Sequence, residues 1–516
     1  MLYRRPITLL SLLCFVVLPA KAQVTGLGST MFENSGAEEA QDMFSRGILL
    51  LHSFEYEDAR EAFSEARRID PDFAMAYWGE AMTHNHPIWM QQSTEKARDV
   101  LRELAPDLQG RLEKAPTTRE KDYLRAAEAL YFSEGDKRMR DFAFEEQMAA
   151  LSARYPDDLD AAAFHALSIL GLAHDGRDFE LYMRAAAIVE EVFAVNPRHP
   201  GAAHYLIHSY DDPVHAPLGL RAARTYATIA PDAAHALHMP SHIFTALGMW
   251  PEVASANEES FAASDARMRR KGLGVNARSF HARHWLAYAY LQQGRHAEAE
   301  GLLNDMISDA EEGDSRLARR HLVSMTISYL VETQRWDSEY ARIDLDPEGL
   351  SPNSIADLLF IRGSAALARG DEEKARKAVS ELMHLEGAEE GELLQHQLKA
   401  QLLELEGNLD GAIDLLETAA EMEAARPMEF GPPKPAKPTY ERLGEYYLKA
   451  GKGAKAMKAF ETSLARAPGR SLSFIGMVAA AKMEGDKDAH KEATARLKKN
   501  WKKADPSVTK TFPIPD

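Results

Sequence analysis

Residues 199–244 read HPGAAHYLIHSYDDPVHAPLGLRAARTYATIAPDAAHALHMPSHIF and hold seven of the 19 histidines in this chain of 516 residues. Within this stretch the pair His204 and His208 recurs as the pair His238 and His242, at the same offset for both members. A spacing of four residues places both members of a pair on one face of a helix. The offset matches the period of about 34 residues that is typical of a repeat built from two helices joined by a turn. The stretch therefore predicts a helical repeat protein.

A matching pattern of small and large apolar residues occurs near both ends of the chain. Near the C-terminus it consists of Tyr440, Leu443, Gly444, Tyr447, Gly451, Ala456, Phe460 and Pro468. Near the N-terminus it consists of Gly47, Tyr56, Ala59, Phe63, Ala66 and Pro71. Through these residues the chain resembles the tetratricopeptide repeat family over nearly its whole length. The resemblance implies an all-α, right-handed solenoid of helix-turn-helix repeats, whose first helices line a concave groove, and a protein or peptide partner.

Residues 1–22, MLYRRPITLLSLLCFVVLPAKA, predict a secretory signal peptide. Two arginines precede an apolar run of about twelve residues, and the small-residue sequence Ala20-Lys21-Ala22 follows. An apolar run of this length is too short to span a bilayer, so we expect cleavage before Gln23 and no transmembrane segment in the mature chain. Export across the inner membrane is therefore expected, with a periplasmic location as the first choice and a fully extracellular one as the alternative.

Cysteine usage and charge exclude several classes of protein. Cys14 is the only cysteine and lies in the predicted signal peptide, so the mature chain has no thiolate for catalysis or metal binding. The net charge is −18, and the removal of three basic residues with the signal peptide makes it more negative. An acidic protein of this kind is not expected to bind nucleic acid or anionic lipid.

The pattern along the chain predicts eight segments. They are a signal peptide (1–22), a disordered lead (23–38), N-terminal repeats (39–198), His-rich central repeats (199–308), further repeats (309–424), a proline-rich linker (425–438), C-terminal repeats (439–502) and a tail (503–516). The linker sequence ARPMEFGPPKPAKP is compatible with a simple connection or with a strap that crosses the groove. The basic stretch SDARMRRKGLGVN, residues 264–276, is expected to form a loop over the binding face.

Alignment of the three central units places the histidines in rows on the first helices. One row holds His204, His238 and His284; a second holds His208, His242 and Tyr288; and a third holds Gly201, His235 and His281. In tetratricopeptide repeats these rows face the concave groove, so the resemblance implies that the imidazoles lie together. Pro240 interrupts the second pair, because a proline inside a helix removes a hydrogen bond, and the helix is expected to kink there or to begin late.

We interpret the rows as a transition-metal site. Neutral imidazole binds zinc, copper and iron, and two rings four residues apart on a helix can reach one ion. The candidate ligands are His204, His208, His235, His238, His242, His281 and His284. Groups that could orient these rings or contact a ligand are Asp211, Asp212, His215, Tyr205 and Tyr288.

Two further interpretations stay open. A metal-free groove could bind a peptide or an anionic ligand, with help from Arg283 and from the basic residues of 264–276. A metal-dependent hydrolase or oxidase would need a base, for which Asp211, Asp212 and Glu258 are the candidates. No H-E-x-x-H, G-x-S-x-G or phosphate-binding glycine motif is present in the sequence, so a catalytic role has no further support. Outside the rows, His396 is expected at a buried position on a first helix.

Overall fold

The computed structural model describes residues 26–343 and 345–512, so the predicted signal peptide lies outside the described residues. The N-terminal part contains α1 (Gln41–His52), α2 (Tyr56–Ile69), α3 (Ala74–Met82), α4 (Thr94–Leu104), α5 (Leu108–Lys114), α6 (Thr118–Phe132), α7 (Lys137–Arg154), α8 (Leu159–Leu170) and α9 (Phe179–Val195). A short antiparallel pair, β1 (Asn85–His86) and β2 (Gln91–Gln92), follows α3.

The central part carries the His-rich units. It contains α10 (Pro200–Tyr210), α11 (Ala216–Ile229), α12 (Ala234–His238), α13 (Pro240–Ala246), α14 (Trp250–Lys271), α15 (Phe280–Gln292), α16 (His296–Gly313) and α17 (Arg316–Thr333). The C-terminal part contains α18 (Pro352–Ala368), α19 (Glu372–Met383), α20 (Gly391–Leu405), α21 (Leu409–Ala424), α22 (Thr439–Lys449), α23 (Gly453–Arg466), α24 (Ser471–Glu484), α25 (Lys487–Asn500) and α26 (Pro506–Thr511). Short 3₁₀ turns lie at Glu38–Ala40, Pro87–Trp89, Val275–Ala277, Glu339–Arg342 and Trp501–Lys503.

The same glycine–phenylalanine contact holds the repeats together at both ends of the chain. A Cβ added at Gly47 would lie 2.6 Å from the Phe63 ring, so the first helix of the pair can approach the second only without a side chain there. At the other end a Cβ at Gly444 would lie 2.7 Å from the Phe460 ring. These contacts explain the residues that carry the resemblance, and the all-α solenoid of tetratricopeptide-like helix pairs is confirmed.

The first helices of successive pairs contact one another. Examples are the contacts of α8 with α10, of α10 with α13 and of α15 with α17. This arrangement puts the side chains of one helix layer on a shared inner surface. No helix in the described ranges is both long and apolar enough to cross a membrane.

The solenoid coils tightly enough for units far apart in sequence to touch. Arg267 at the end of α14 binds Asp58 of α2, with Nε 3.0 Å from Oδ1. The indole Nε1 of Trp250 donates to the carbonyl of Gly469 at 2.8 Å. These contacts between distant parts of the chain close the interior on several sides.

Two segments outside the predicted repeats are structured. Within residues 26–38, Leu27 and Phe32 are buried, the ring of Phe32 lies 5.4 Å from that of Phe44 in α1, and the backbone N–H of Ser29 donates to the carbonyl of Arg198 before α10. The prediction of a disordered lead was wrong for this part of 23–38, because two apolar side chains find a place in the core. Within the predicted tail, Asp505 N–H donates to the carbonyl of Gly294 at 2.9 Å and positions α26.

The expected basic loop at residues 264–276 is mostly helix. α14 continues to Lys271, and Arg267 and Lys271 form ion pairs with Asp58 of α2 instead of lying over a binding face. A run of residues with good helix propensity and an opposing row of carboxylates favours this extension over a loop.

The proline-rich segment 425–438 crosses the inner surface and is called the strap below. Phe430 stacks on the ring of His242, with centroids 5.0 Å apart. Gly431 lies against Trp285, since a Cβ there would be 2.5 Å from the indole. Of the two possibilities left by the sequence, the structure shows the strap.

Candidate metal centre

Four helices bring the candidate ligands together. α10 carries His204 and His208, α12 carries His235 and His238, α13 carries His242 and α15 carries His281. Pro240 ends the continuity between α12 and α13 and occupies the first turn of α13, where its missing N–H costs no hydrogen bond. This break turns the end of α12 and the start of α13 independently toward the same point.

His238 and His242 face each other through the same ring atom. Their Nε2 atoms are 3.1 Å apart, and both rings are nearly inaccessible to solvent. A nitrogen–metal bond of about 2.1 Å places two ligand nitrogens about 3.0 Å apart at a right angle and about 3.4 Å apart at a tetrahedral angle. The observed separation lies between these values, so the pair has the spacing of two ligands of one ion.

Hydrogen bonds fix the tautomers of these two rings. His238 Nδ1 lies 2.6 Å from Oδ1 of Asn257, and the Asn257 amide nitrogen donates to the carbonyl of Val253, so this oxygen can only accept. His242 Nδ1 donates to Oδ2 of Asp211 at 2.7 Å. In a neutral imidazole with Nδ1 protonated, Nε2 carries a lone pair. Two lone pairs therefore point at each other across 3.1 Å.

A shared proton is a poor alternative to a metal ion at this point. Burial lowers the pKa of His238 well below its ordinary value, and the neighbouring His242 lowers it further. Burial also lowers the pKa of His242, although the hydrogen bond and charge of Asp211 oppose this effect. Both pKa shifts favour the neutral rings, and a cation bound between two neutral rings would relieve the repulsion of their lone pairs.

Another group of imidazoles, His204, His208 and His235, is called the first set below, and it adjoins the second set, which consists of His238, His242 and His281. His204 Nε2 lies 3.2 Å from His235 Nε2, and the ring of His208 lies 4.9 Å from that of His204. The Nδ1 of His204 donates to the backbone carbonyl of His52 at 2.7 Å, so its Nε2 also carries a lone pair. One ligand atom from each of His204, His208 and His235 fits within 4.8 Å of the other two. The same holds for His238, His242 and His281.

The two sets of imidazoles are together called the centre below, and Asp211 contacts His242 of this centre through Nδ1 of the ring. Its carboxylate binds the Arg177 guanidinium as well as His242, and both charged groups are buried. Burial opposes ionisation, but the charge of Arg177 and the hydrogen bonds from His208 and His242 together hold the pKa of Asp211 below its usual range. Arg177 also approaches Asp212, which accepts from His215 Nδ1 at 2.9 Å. Asp211 and Asp212 thus orient other groups, as carboxylates behind metal-binding histidines do.

The remaining candidates lie further out. His281 is 4.6 Å from His238 by ring centroids and completes its set, whereas His284 faces His321 at 6.1 Å and joins neither set. Tyr205 donates toward His52 rather than toward a groove ligand, with 2.9 Å between the atoms. Tyr288 accepts from Arg470 at 3.1 Å and lies in a separate charge cluster. His215 contacts Asp212 and Phe179, away from the two sets. His284, Tyr205, Tyr288 and His215 are therefore not placed as ligands.

A buried network under α10 was not anticipated. His52 Nε2 lies 2.9 Å from Oδ1 of Asp160, and His199 Nε2 approaches the same oxygen at 3.4 Å. A Cβ at Gly201 would lie 2.4 Å from the ring of His52, which explains why one row of imidazoles begins with a glycine. This network holds the carbonyl of His52 against His204.

Aromatic rings cover the two sets. Trp285 stacks on His242 with centroids 4.5 Å apart, and Phe430 of the strap stacks on it at 5.0 Å. Phe54 contacts His204 at 4.2 Å, and Trp89 approaches His235 at 5.9 Å. The cover limits water around the imidazoles and strengthens electrostatic interactions there.

A cavity of about 320 Å³ opens beside the second set. Its lining includes His281, His284, Trp285, Arg320, Phe430 and Lys434. Since His281 lies both in the cavity wall and in the second set, a small molecule in the cavity can reach the centre.

Several groups proposed for the other interpretations are engaged elsewhere. Arg283 is buried and pairs with Asp309 at 2.8 Å, and Arg269 pairs with Asp265 at 2.7 Å. Glu258 accepts from the hydroxyl of Tyr290 at 2.6 Å. Because Asp211 and Asp212 also hold charged partners, none of the three candidate bases is free to take a proton beside the centre.

Comparison with known proteins identifies solved structures that are similar to this chain. No family model matches the chain, and no curated protein matches it. The APC/C hetero-tetramer Cut9-Hcn1 is similar with a TM-score of 0.35 and 12% identity, over 94% of this chain and 78% of that one. The human IFIT1 dimer with PPP-AAAA is similar with a TM-score of 0.39 and 14% identity, over 90% of this chain and 96% of that one. Yeast Tom70 is similar with a TM-score of 0.33 and 15% identity, over 92% of this chain and 99% of that one. These values are low, and the fold assignment rests on the helix pairs of the chain itself.

Proposed function

We propose that this chain is a binding or scaffold protein that holds a transition metal ion in a histidine-lined site inside a helical-repeat solenoid. The observation that carries the proposal is the pair of Nε2 lone pairs of His238 and His242, held 3.1 Å apart by hydrogen bonds to both Nδ1 atoms. Keeping two neutral acceptors face to face in a buried place is unfavourable unless a cation binds between them.

The donor set narrows the choice of ion. Imidazole nitrogens suit zinc, copper and iron, whereas magnesium and calcium prefer oxygen ligands. An ion held by three side chains keeps an open coordination position. The cavity beside His281 supports the proposal that a small ligand or a side chain of a partner fills this position.

Metal analysis of the untagged protein tests the proposal. After exposure in turn to zinc, copper and iron and gel filtration, the wild-type protein should retain at least one equivalent of one of these ions. The double variant His238→Ala/His242→Ala should retain at least one equivalent less than the wild type, while His396→Ala should retain as much as the wild type. Retention of less than about one tenth of an equivalent by the wild type, with no uptake on titration, would reject a metal site.

His396 is a suitable control because its ring is not fully buried, in contrast to the expectation from the sequence. Its ring is half-buried on α20, and its Nδ1 contacts the carbonyl of Glu392 one turn earlier, at 2.7 Å. Removal of this ring therefore changes the histidine count without touching the centre.

We also propose export and a protein or peptide partner. The sequence of residues 1–22 supports export, and the solenoid supports a partner because helical repeats present extended concave and convex surfaces. N-terminal sequencing of protein recovered from the periplasm should begin at Gln23. An N-terminus at Met1 in protein confined to the cytoplasm would contradict export.

A metal-free site for an anionic ligand is the second candidate. Arg320 and Lys434 are the basic side chains in the cavity wall, and Nε2 of His284 is buried there without a hydrogen-bond partner among the described residues. This candidate predicts that a small carboxylate raises the melting temperature of metal-free protein and that Arg320→Ala removes the effect. No shift with metal-free protein would exclude it.

A further inference from the structure

We infer that the centre is dinuclear: one ion is held by His204, His208 and His235, and a second by His238, His242 and His281. This inference rests on the proposed metal binding and specifies its stoichiometry. Each set offers one nitrogen per residue, and the three nitrogens of a set lie within 4.8 Å of one another. No residue belongs to both sets, so each ion has three ligands of its own.

The geometry within the two sets is nearly the same. In each set one pair of Nε2 atoms is in direct contact, at 3.2 Å for His204 and His235 and at 3.1 Å for His238 and His242. In each set at least one ring has its Nδ1 fixed by an acceptor, the His52 carbonyl in the first and Asn257 and Asp211 in the second. A site for a single ion would not require the second contact pair.

The two sets are neighbours across the α10–α13 contact and along α12. Ring centroids of His208 and His242 are 5.3 Å apart, and those of His235 and His238 are 6.0 Å apart. Within the sets, the contacting rings are 5.0 Å apart. Rings of different sets are thus almost as close as rings of one set, so two ions held by them would be near neighbours, and we expect the separation of about 3.5–4 Å that is typical of two-metal centres.

The other acid–histidine groups in the described ranges do not compete for these ions. Asp211 is near His208 and His242, but its charge is already matched by Arg177, and its Oδ2 accepts from Nδ1 of His242. In the group of His52, Asp160 and His199, His52 bonds to both Tyr205 and Asp160. Nδ1 of His199 accepts from the N–H of Ala202 at the start of α10. The neutral ring of His199 therefore carries its proton on Nε2, which lies 3.4 Å from Oδ1 of Asp160 without a hydrogen bond, so no ring of this group offers a free lone pair to an ion.

Charge balance gives the dinuclear centre one further requirement. Six neutral imidazoles bring no negative charge, and two divalent ions close together repel each other. A hydroxide or another small anion that bridges them offsets this repulsion, as in other two-metal sites. The open side of the second set, at the cavity wall beside His281, is where such an anion enters.

Stoichiometry separates this inference from metal binding as such. Untagged wild-type protein dialysed against Cu(II), or in parallel against Zn(II), should retain two equivalents. The single variants His235→Ala and His281→Ala should each retain one equivalent. The double variant His235→Ala/His281→Ala should retain less metal than either single variant. Circular dichroism and melting temperature check that the variants fold, with His396→Ala as the matched control.

X-ray absorption at the copper or zinc edge of the wild-type protein gives a measurement that needs no variant. It should show nitrogen ligands at about 2.0–2.1 Å and a metal–metal distance of about 3.5–4 Å. One equivalent in the wild type, with no metal–metal scattering, overturns the dinuclear inference and leaves the proposed function standing. No bound ion overturns both. Two equivalents of which one is lost in His199→Ala, and none in His235→Ala, place the second ion elsewhere and also overturn the inference.

Discussion

Asp211 links the ring of His242 to the guanidinium of Arg177: its Oδ2 accepts from Nδ1 of His242 at 2.7 Å, while its Oδ1 binds Arg177. The carboxylate thus aims Nε2 of His242 at the centre and raises the basicity of the ring. Arg177 in turn keeps the carboxylate ionised in a buried place.

Substitution of Asp211 should weaken metal binding without removing a ligand. We expect Asp211→Asn to lower the affinity for Zn(II) about 10- to 100-fold, since an amide oxygen polarises the imidazole less and leaves Arg177 short of a partner. Competition with a chromophoric chelator measures the change. Asp212→Asn is the matched control, because Asp212 shares Arg177 but contacts His215 instead of a ligand. Equal affinities of Asp211→Asn and wild type would contradict the role of Asp211.

Substitution of Asn257 should also weaken metal binding, in this case through the ring of His238. Its Oδ1 accepts from His238 Nδ1 at 2.6 Å, so Asn257→Ala frees the ring to rotate and to change tautomer. We expect a loss of about 10- to 100-fold in Zn(II) affinity in the same competition assay. Ser260→Ala on the same helix removes a bond to the carbonyl of Ala234 and serves as the control. If both variants lose affinity equally, the effect comes from α14 as a whole and not from the ring of His238.

The sequence placed the histidines of the second set on consecutive units, and the structure brings these three rings together. The recurrence of the histidine pair aligns α10 with α13, and matching Gly248 after α13 with Gly294 after α15 aligns these two helices. This alignment uses local periodicity, which does not depend on distant contacts. The sets nevertheless cut across the predicted rows, since His204 meets His235 rather than His238. The break at Pro240 turns α12 relative to α13, and row alignment assumes a continuous helix.

Residues brought in by the coiling of the solenoid could not be predicted. The carbonyl of His52 contacts His204, Asp160 binds the ring of His52, and Phe430 stacks on His242, although all three residues lie far from these histidines in sequence. Their positions depend on the accumulated rotation between repeats, which no pattern within one repeat records. A signal for His52 did exist, because Gly201 stands where the aligned units have histidine and so leaves room for another ring.

The strap should control access to the centre. Phe430 stacks on His242 and borders the cavity, so Phe430→Ala should speed the transfer of bound metal to an excess of chelator by more than tenfold while the equilibrium affinity changes less. Stopped-flow absorbance of the chelator complex gives the rate. Met428→Ala in the same strap, which borders a different cavity, should leave the rate unchanged. Identical rates for Phe430→Ala and wild type would show that metal leaves by another path.

A buried charge cluster anchors the end of the strap. Arg470 binds Glu332, Glu441 and the hydroxyl of Tyr288, and Lys437 of the strap binds Glu441 at 2.7 Å. Arg470→Ala leaves buried carboxylates without their cation, so we expect a loss of about 3–5 kcal/mol in the free energy of unfolding. Arg376→Ala, which breaks an exposed pair with Glu406, should cost less than about 1 kcal/mol. Urea denaturation followed by circular dichroism compares the two, and similar losses would contradict the importance of burial.

The same cluster should make stability depend on pH in acid. Burial opposes the ionisation of Glu441, but the charges of Arg470 and Lys437 outweigh it and lower its pKa from 4.5 to about 2. A carboxyl whose folded pKa is depressed contributes stability that is present above the unfolded pKa and lost as the pH falls toward the folded one. The difference in unfolding free energy between wild type and Glu441→Gln should therefore be largest above about pH 5 and shrink between about pH 4.5 and 2. Urea titrations of both proteins at pH 6.0, about 4 and about 3 measure this difference, and a constant or growing difference on acidification would show that Glu441 is not ionised in the folded protein.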